Sequence, residues 1–189
     1  MNFHNITHDD MLNGSGLRVV LWCSGCTHHC NNCQNPQTWD INSGISFNEE
    51  AKQEIFEELS KDYISGITFS GGDPLNENNV KTILNLVNEI RLSFPTKNIW
   101  LYSGYTWKQV MNPVVTDDLN PNRDKIIKMR QDIIKQCDVF VDGRYVDELR
   151  DLTLHWRGSS NQRVIDVQKT LQSKEIVLYD ENKSKQKTK

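Results

Sequence analysis

Apolar positions along this chain alternate between two rhythms. "LRVVLW" (Leu17–Trp22) is a short run with β-branched residues and reads as a strand. "SFNEEAKQEIFEELSK" (46–61) repeats Ala51, Ile55 and Leu59 at helical spacing, and Ser46 with Glu49 forms a capping box at its start. "ISGITFS" (Ile64–Ser70) is a second strand, followed at once by "GGDP". A second helix is expected over "ENNVKTILNLVNEIRLSF" (77–94), with Val80, Ile83, Leu84, Val87 and Ile90 on its apolar face and Pro95 just beyond. "IWLYS" (Ile99–Ser103) is a third strand and Thr106–Met111 a short helix. Val114–Asn122 reads as a loop. Arg123–Gln136 is a helix burying Ile126, Ile127, Ile133 and Ile134, and "CDVFVD" (Cys137–Asp142) is a fourth strand. "RVIDV" (Arg163–Val167) and "EIVLY" (Glu175–Tyr179) are candidates for two more.

Strands alternating with amphipathic helices imply βαβ units and a mainly parallel sheet of about five or six strands, too few for a full eight-stranded barrel. Two architectures remain, an open doubly wound sheet or a partial, splayed barrel. Both gather ligands at the carboxyl ends of the strands. The unusual residues fall there: a cysteine loop after the first strand, "GGDP" after the second, "SGY" after the third and "DGR" after the fourth.

Composition narrows the class. With 189 residues, 37% apolar and 25% charged, the chain suits one globular domain over 1–180; the lysine-rich stretch 181–189 reads as a disordered tail. A net charge of −3 gives no reason to expect nucleic-acid binding. No run of about 18 apolar residues is present to span a membrane. The first residues lack a signal pattern, so a cytoplasmic location is expected. In that compartment clustered cysteines bind metal or react more often than they form disulfides.

The cysteine loop "CSGCTHHCNNCQNP" (Cys23–Pro36) holds four of the five cysteines. Paired zinc knuckles usually stand about 12 to 20 residues apart; here Cys26 and Cys30 are separated by three residues, so zinc fits awkwardly. The bacterial ferredoxin order does not match either. Without Cys23, the remainder is C-x3-C-x2-C, and three thiolates on one tight loop can hold three irons of a four-iron cluster and leave the fourth open. Cys23, at the strand end, is expected to pack as a small apolar residue. His28 and His29 read as solvated loop residues that shape the pocket, and Cys137 as buried. "GGDP" taken alone is an ordinary turn.

Cys26, Cys30 and Cys33 match the CxxxCxxC motif of radical S-adenosylmethionine enzymes, and "SGGDP" (Ser70–Pro74) resembles their glycine-rich cofactor motif. More narrowly, "NPQTW", "GITFSGGDPL", "IWLYSGYTW" and "WRGSSNQ" make the chain similar to the activases of anaerobic ribonucleoside-triphosphate reductases. Asn32 stands where many superfamily members carry an aromatic residue. The resemblance implies an α/β fold, a partial, splayed βα barrel. It implies a [4Fe-4S] cluster on Cys26, Cys30 and Cys33, and S-adenosylmethionine beside Asn32, Cys33, Gln34, Gly71, Gly72 and Asp73. It further implies a glycyl radical made on the reductase large subunit, with a flavodoxin- or ferredoxin-type electron donor. Activation of another glycyl-radical enzyme such as a formate-lyase, an iron–sulfur electron carrier and a zinc-stabilised module are the other readings.

Overall fold

A computed structural model describes residues 1–113 and 121–180. They form one open sheet of seven strands flanked by helices: β1 (Asn2–Asp10), β2 (Arg18–Cys23), β3 (Ile45–Ser46), α1 (Glu49–Leu59), β4 (Gly66–Gly71), α2 (Val80–Ser93), β5 (Asn98–Ser103), α3 (Trp107–Met111), α4 (Pro121–Gln136), β6 (Val139–Asp142), β7 (Arg163–Asp166) and α5 (Val167–Ser173). The sheet order is β3-β1-β2-β4-β5-β6-β7. β2, β4, β5 and β6 are mutually parallel, and β1, β3 and β7 are antiparallel additions at the two edges.

That order decides between the two architectures. A doubly wound sheet reverses direction at a switch point. Here the parallel strands follow one another without reversal. Crossovers of one hand then leave every connecting helix on the same face. The core agrees. Val19, Leu21, Ile67, Phe69, Ile99, Leu101, Phe140 and Ile165 from the strands pack with Ile55, Val80, Ile83, Ile90, Ile133 and Ile134 from the helices in one buried cluster. The alternate strand positions face the other way. Trp100, Val139, Val141 and Val164 form a second cluster there, joined by Tyr102, Trp156 and Tyr179. The result is the partial, splayed arrangement, an open, singly wound sheet with its helices on one side.

β1 is an addition to the strands expected from sequence. Only Phe3 and Ile6 of its nine residues are buried apolar, and register shifts between Phe3 and Asn5 and between Thr7 and Asp10 break the alternation. β3 is two residues long. α1 starts later than the capping box proposed at Ser46: Asn48 is the cap, accepting from the Ala51 N–H at 3.0 Å, while Ser46 lies in β3. In α2 the buried position is Leu86 rather than Leu84, which is half-buried. In α4 Ile133 and Ile134 are fully buried, whereas Ile126 and Ile127 are half-buried. "EIVLY" makes an isolated bridge from Leu178 to Ile165 rather than a strand. Pro121 and Asn122, expected in a loop, open α4; the rest of that loop, 114–120, and the tail 181–189 lie outside the described residues. Among the described residues no helix is long and apolar enough to cross a membrane.

Arg18 secures the end of the open face away from the cysteines. It is fully buried. Its guanidinium donates to Thr68 Oγ1 (2.8 Å), the Ser15 carbonyl (2.9 Å), Asn98 Oδ1 (2.6 Å) and the Ile67 carbonyl (2.7 Å), and it lies 5.2 Å from the Trp100 ring centroid. Burial lowers its pKa to about 10, so it remains a cation at neutral pH. Arg18→Met is expected to leave these acceptors buried and unpaired, costing about 2–3 kcal/mol. Thermal unfolding of the two proteins measures this, and an unchanged midpoint would contradict it.

Candidate cofactor site

The segment after β2 folds back on itself. Gly25 N–H donates to the Thr38 carbonyl (2.7 Å) and Cys26 N–H to the Trp39 carbonyl (3.0 Å), so the cysteine loop closes as a ring of chain. His29 (φ 48°) and Asn32 (φ 52°) adopt left-handed backbone, which coils the short spacing between the thiols. Cys26, Cys30 and Cys33 are partly exposed, and none of the described cysteines forms a disulfide. All three line a cavity of about 570 Å³ on the open face of the sheet, at the carboxyl ends of the parallel strands. Gln34, Gly71, Gly72, Tyr102, Ser103, Gly104 and Gly143 share that cavity, with Trp22, Trp39 and Trp156 among its aromatic walls.

Cys23 is elsewhere. It is fully buried among the helix-side residues of the sheet, and Trp22 takes the cavity side. Burial pushes its thiol pKa well up. Cys137, expected to be buried, is fully so. Partial burial raises Cys26 to about 11, with a smaller rise at Cys30, so metal binding here must release protons. Three thiols lining one cavity fit the soft donor set of an iron–sulfur cluster. Among the described residues no group of three His, Cys, Asp or Glu side chains is already placed to hold a metal ion.

"GGDP" is more than a turn beside this cavity. Gly72 N–H donates to the Cys23 carbonyl (2.7 Å) and Asp73 N–H to the Gly25 carbonyl (2.8 Å), so the turn crosses directly over the cysteine loop. Gly71 has φ +100°, and a Cβ there would lie 2.6 Å from Cys23 N; a Cβ at Gly72 would lie 2.7 Å from the Gly25 carbonyl oxygen. The glycines are required by this crossing of backbones, a reason distinct from room for a ligand.

Two residues expected beside the cofactor, Asp73 and Asn32, are not among those that line the cavity. Asp73 is 1% exposed and is not on the cavity surface. Its carboxylate accepts from Ser103 Oγ (2.9 Å), Leu75 N (2.8 Å), Gly104 N (3.2 Å) and the His28 ring (2.6 Å). Asn32 is exposed and off the cavity; its amide donates to Asp147 Oδ2 (2.7 Å). The Tyr145 hydroxyl and that amide together hold the Asp147 carboxyl below its ordinary range. Asn32 therefore supplies a left-handed turn and a tie to the 145–147 segment. His28 also departs from expectation: its side chain is 6% exposed, not solvated. His29 is exposed as expected and stacks on Trp39 at 4.8 Å.

Residues 156–162, "WRGSSNQ", complete the far wall with Trp156, Arg157, Gly158 and Gln162. Gln162 Oε1 accepts from Gly158 N (2.9 Å) and its Nε2 donates to the Gly143 carbonyl (3.0 Å), pinning the segment to the turn after β6. Trp156 packs on Trp100 at 5.1 Å between ring centroids.

Residues 12–165 match the family model of the 4Fe-4S single cluster domain. Curated relatives extend over most of the chain. The anaerobic ribonucleoside-triphosphate reductase-activating protein of Escherichia coli K12 is 41% identical over 166 residues, 87% of this chain and 97% of that protein. The chain belongs to this family of activating proteins. The protein of the same description from Enterobacteria phage T4 is 38% identical over 87% of this chain and 93% of its own length. The one from Vibrio cholerae is 36% identical over 86% of this chain and 96% of its length. Membership in the activating-protein family carries with it a 4Fe-4S domain, and the match spans the cysteine loop and all four strand-end turns.

Proposed function

We propose that this chain activates an anaerobic ribonucleoside-triphosphate reductase by reductive cleavage of S-adenosylmethionine at a [4Fe-4S] cluster, leaving a glycyl radical on the reductase large subunit. The observation that carries this reading is that Cys26, Cys30 and Cys33 all line one cavity while Cys23 packs on the helix side of the sheet. Three thiolates leave one iron without a protein ligand. A cluster held by Cys26, Cys30 and Cys33 would supply the one electron that breaks the C5′–S bond of S-adenosylmethionine, releasing methionine, and the adenosyl fragment would take up a hydrogen atom from a glycine of the reductase.

The residues of the chain position and shield. Cys26, Cys30 and Cys33 are the proposed cluster ligands. Gly71, Gly72 and Gln34 are the proposed contacts of S-adenosylmethionine, because they share the cavity with the thiols. Asp73 and Asn32 tie the surrounding segments to one another. Tyr102 and Trp156, which line the cavity, pack against the apolar cluster of Trp100, Val139, Val141 and Val164. The cavity is proposed to admit a loop of the reductase. An electron donor of flavodoxin or ferredoxin type is proposed with it.

The test is anaerobic reconstitution with iron and sulfide, then reductant, S-adenosylmethionine and the reductase. A glycyl-radical spin signal on the reductase and release of 5′-deoxyadenosine are expected. A loaded protein that cleaves S-adenosylmethionine but radicalises only a formate-lyase-type partner would overturn the choice of reductase.

A further inference from the structure

His28 lies between the first two cysteines of the motif and lines the same cavity, yet its side chain is only 6% exposed and reaches into the junction of the strand-end turns. One ring nitrogen, Nε2, is 2.6 Å from Asp73 Oδ2 on the turn after β4. The other, Nδ1, is 3.1 Å from Arg144 Nε on the turn after β6. The ring edge packs on Tyr105 after β5 at 4.7 Å between centroids. Gly104 makes room for it, since a Cβ there would lie 2.3 Å from the imidazole. A single side chain thus touches all three of the other turns that surround the cavity.

The hydrogen-bond directions follow from donor chemistry. A guanidinium Nε–H can only donate, so Nδ1 must be the bare, accepting nitrogen. The ring proton is then on Nε2 and is donated to Asp73, whose carboxylate is anchored by Ser103, Leu75 and Gly104. Arg144 therefore fixes the tautomer that lets His28 grip Asp73. Asp73 in turn reaches back through its own N–H to the Gly25 carbonyl. The loop is closed: cysteine segment to His28, His28 to Asp73, Asp73 to the cysteine segment.

We propose that His28 is a positioning residue: its bridge between Asp73 and Arg144 holds the cysteine loop in the geometry that receives the cluster. The proposal rests on the reading that Cys26, Cys30 and Cys33 are the cluster ligands. A loop held in advance loses less freedom when the metal binds. Loss of the bridge leaves the core of the sheet intact, because Ile67, Leu101 and Phe140 pack without it.

The experiment reads the loop in the full-length, cluster-free protein and then in the loaded one. A charge-assisted hydrogen bond shifts a local opening equilibrium by roughly 10- to 100-fold. In His28→Ala, amide exchange at Cys26, Gly72 and Asp73 is expected to rise by that factor, while α2 and β4 exchange as before. Iron loss from the reconstituted variant to a chelator should quicken in parallel. His28→Gln, whose amide can still donate to Asp73, should recover most of the protection. Arg144→Met should give a smaller rise, with the His28 ring nitrogens showing mixed tautomers by nitrogen NMR in place of a protonated Nε2 and bare Nδ1. If the alanine variant does not fold, the glutamine and Arg144 variants are read by the same criteria. Loop amides as protected as in the parent, core amides loosened as much as loop amides, or glutamine no better than alanine would each overturn the proposal. A parent protein that fails to take up iron at all would instead overturn the cluster reading, because the exchange measurement needs no cluster.

Discussion

Cys26→Ala, Cys30→Ala and Cys33→Ala are each expected to yield a protein that reconstitutes with little iron and releases no 5′-deoxyadenosine, whereas Cys23→Ala takes up iron and sulfide like the parent. The difference is one of side, not of distance along the chain. β2 alternates its side chains, so Trp22 faces the cavity and Cys23 faces the helices. A thiol buried among Phe3, Leu21 and Phe69 has no path to an iron in the cavity. Removing its sulfur leaves only a small void, at a cost of about 1 kcal/mol and a fall in melting temperature of roughly 2–4 °C. Each of the other three thiols is a proposed ligand, and a cluster short of a thiolate would lose affinity that the fold does not restore. Iron content, sulfide content and product release for the four variants check this. Loss of the cluster in Cys23→Ala would end the three-ligand account.

The sequence disclosed the parallel centre of this fold because each central strand is a nearly unbroken apolar run followed by a turn, and each helix repeats its apolar face clearly. Strand-end chemistry was legible for the same reason: once β2, β4, β5 and β6 are recognised as parallel, their carboxyl ends must share one rim. The edges were not legible. β1 carries two apolar residues in a polar segment and is bulged, so no period of two survives in it. Asn48 won the helix cap over Ser46 because pairing of Ser46 with Asn2 in the sheet fixes that residue in a strand.

Within the site, the three-cysteine pattern stood out through its spacing and its resemblance to a known motif, but the contacts around it did not. His28 reaches partners 45 and 116 residues away, and a local motif says nothing about contacts at that range. One signal was available: a histidine held between two closely spaced cysteines, opposite an aspartate that follows two glycines. Asp73 was expected beside the cofactor because "SGGDP" resembles a cofactor motif and its carboxylate could accept from an ammonium group. In the structure it is 1% exposed and accepts from four donors, which ties the strand-end turns together, and no sequence pattern announces those contacts.

The glycines of "GGDP" separate the two accounts of that turn most sharply. Gly71→Ala is expected to destabilise the cluster-free protein by about 2–6 kcal/mol, the sum of backbone strain and overpacking. Both causes are visible. The φ of +100° disfavours any side chain, and the new Cβ would meet Cys23 N at 2.6 Å, Cys23 O at 2.7 Å and Trp22 C at 2.8 Å, all backbone atoms that cannot swing aside. Gly143 provides the comparison. Its φ is +98°, but the nearest atoms to an added Cβ stand 3.9 Å away, so Gly143→Ala carries the strain alone, about 1–3 kcal/mol. Gly72→Val lacks the positive φ yet drives a branched side chain toward the Gly25 carbonyl, at about 1–3 kcal/mol. At roughly 2–4 °C per kcal/mol, Gly71→Ala should melt on the order of 10 °C below the parent and clearly below Gly143→Ala. Equal melting of those two variants would remove the crossing of backbones as an explanation. A Gly72→Val protein that melts like the parent and loses only its affinity for S-adenosylmethionine would return that glycine to a role in ligand approach.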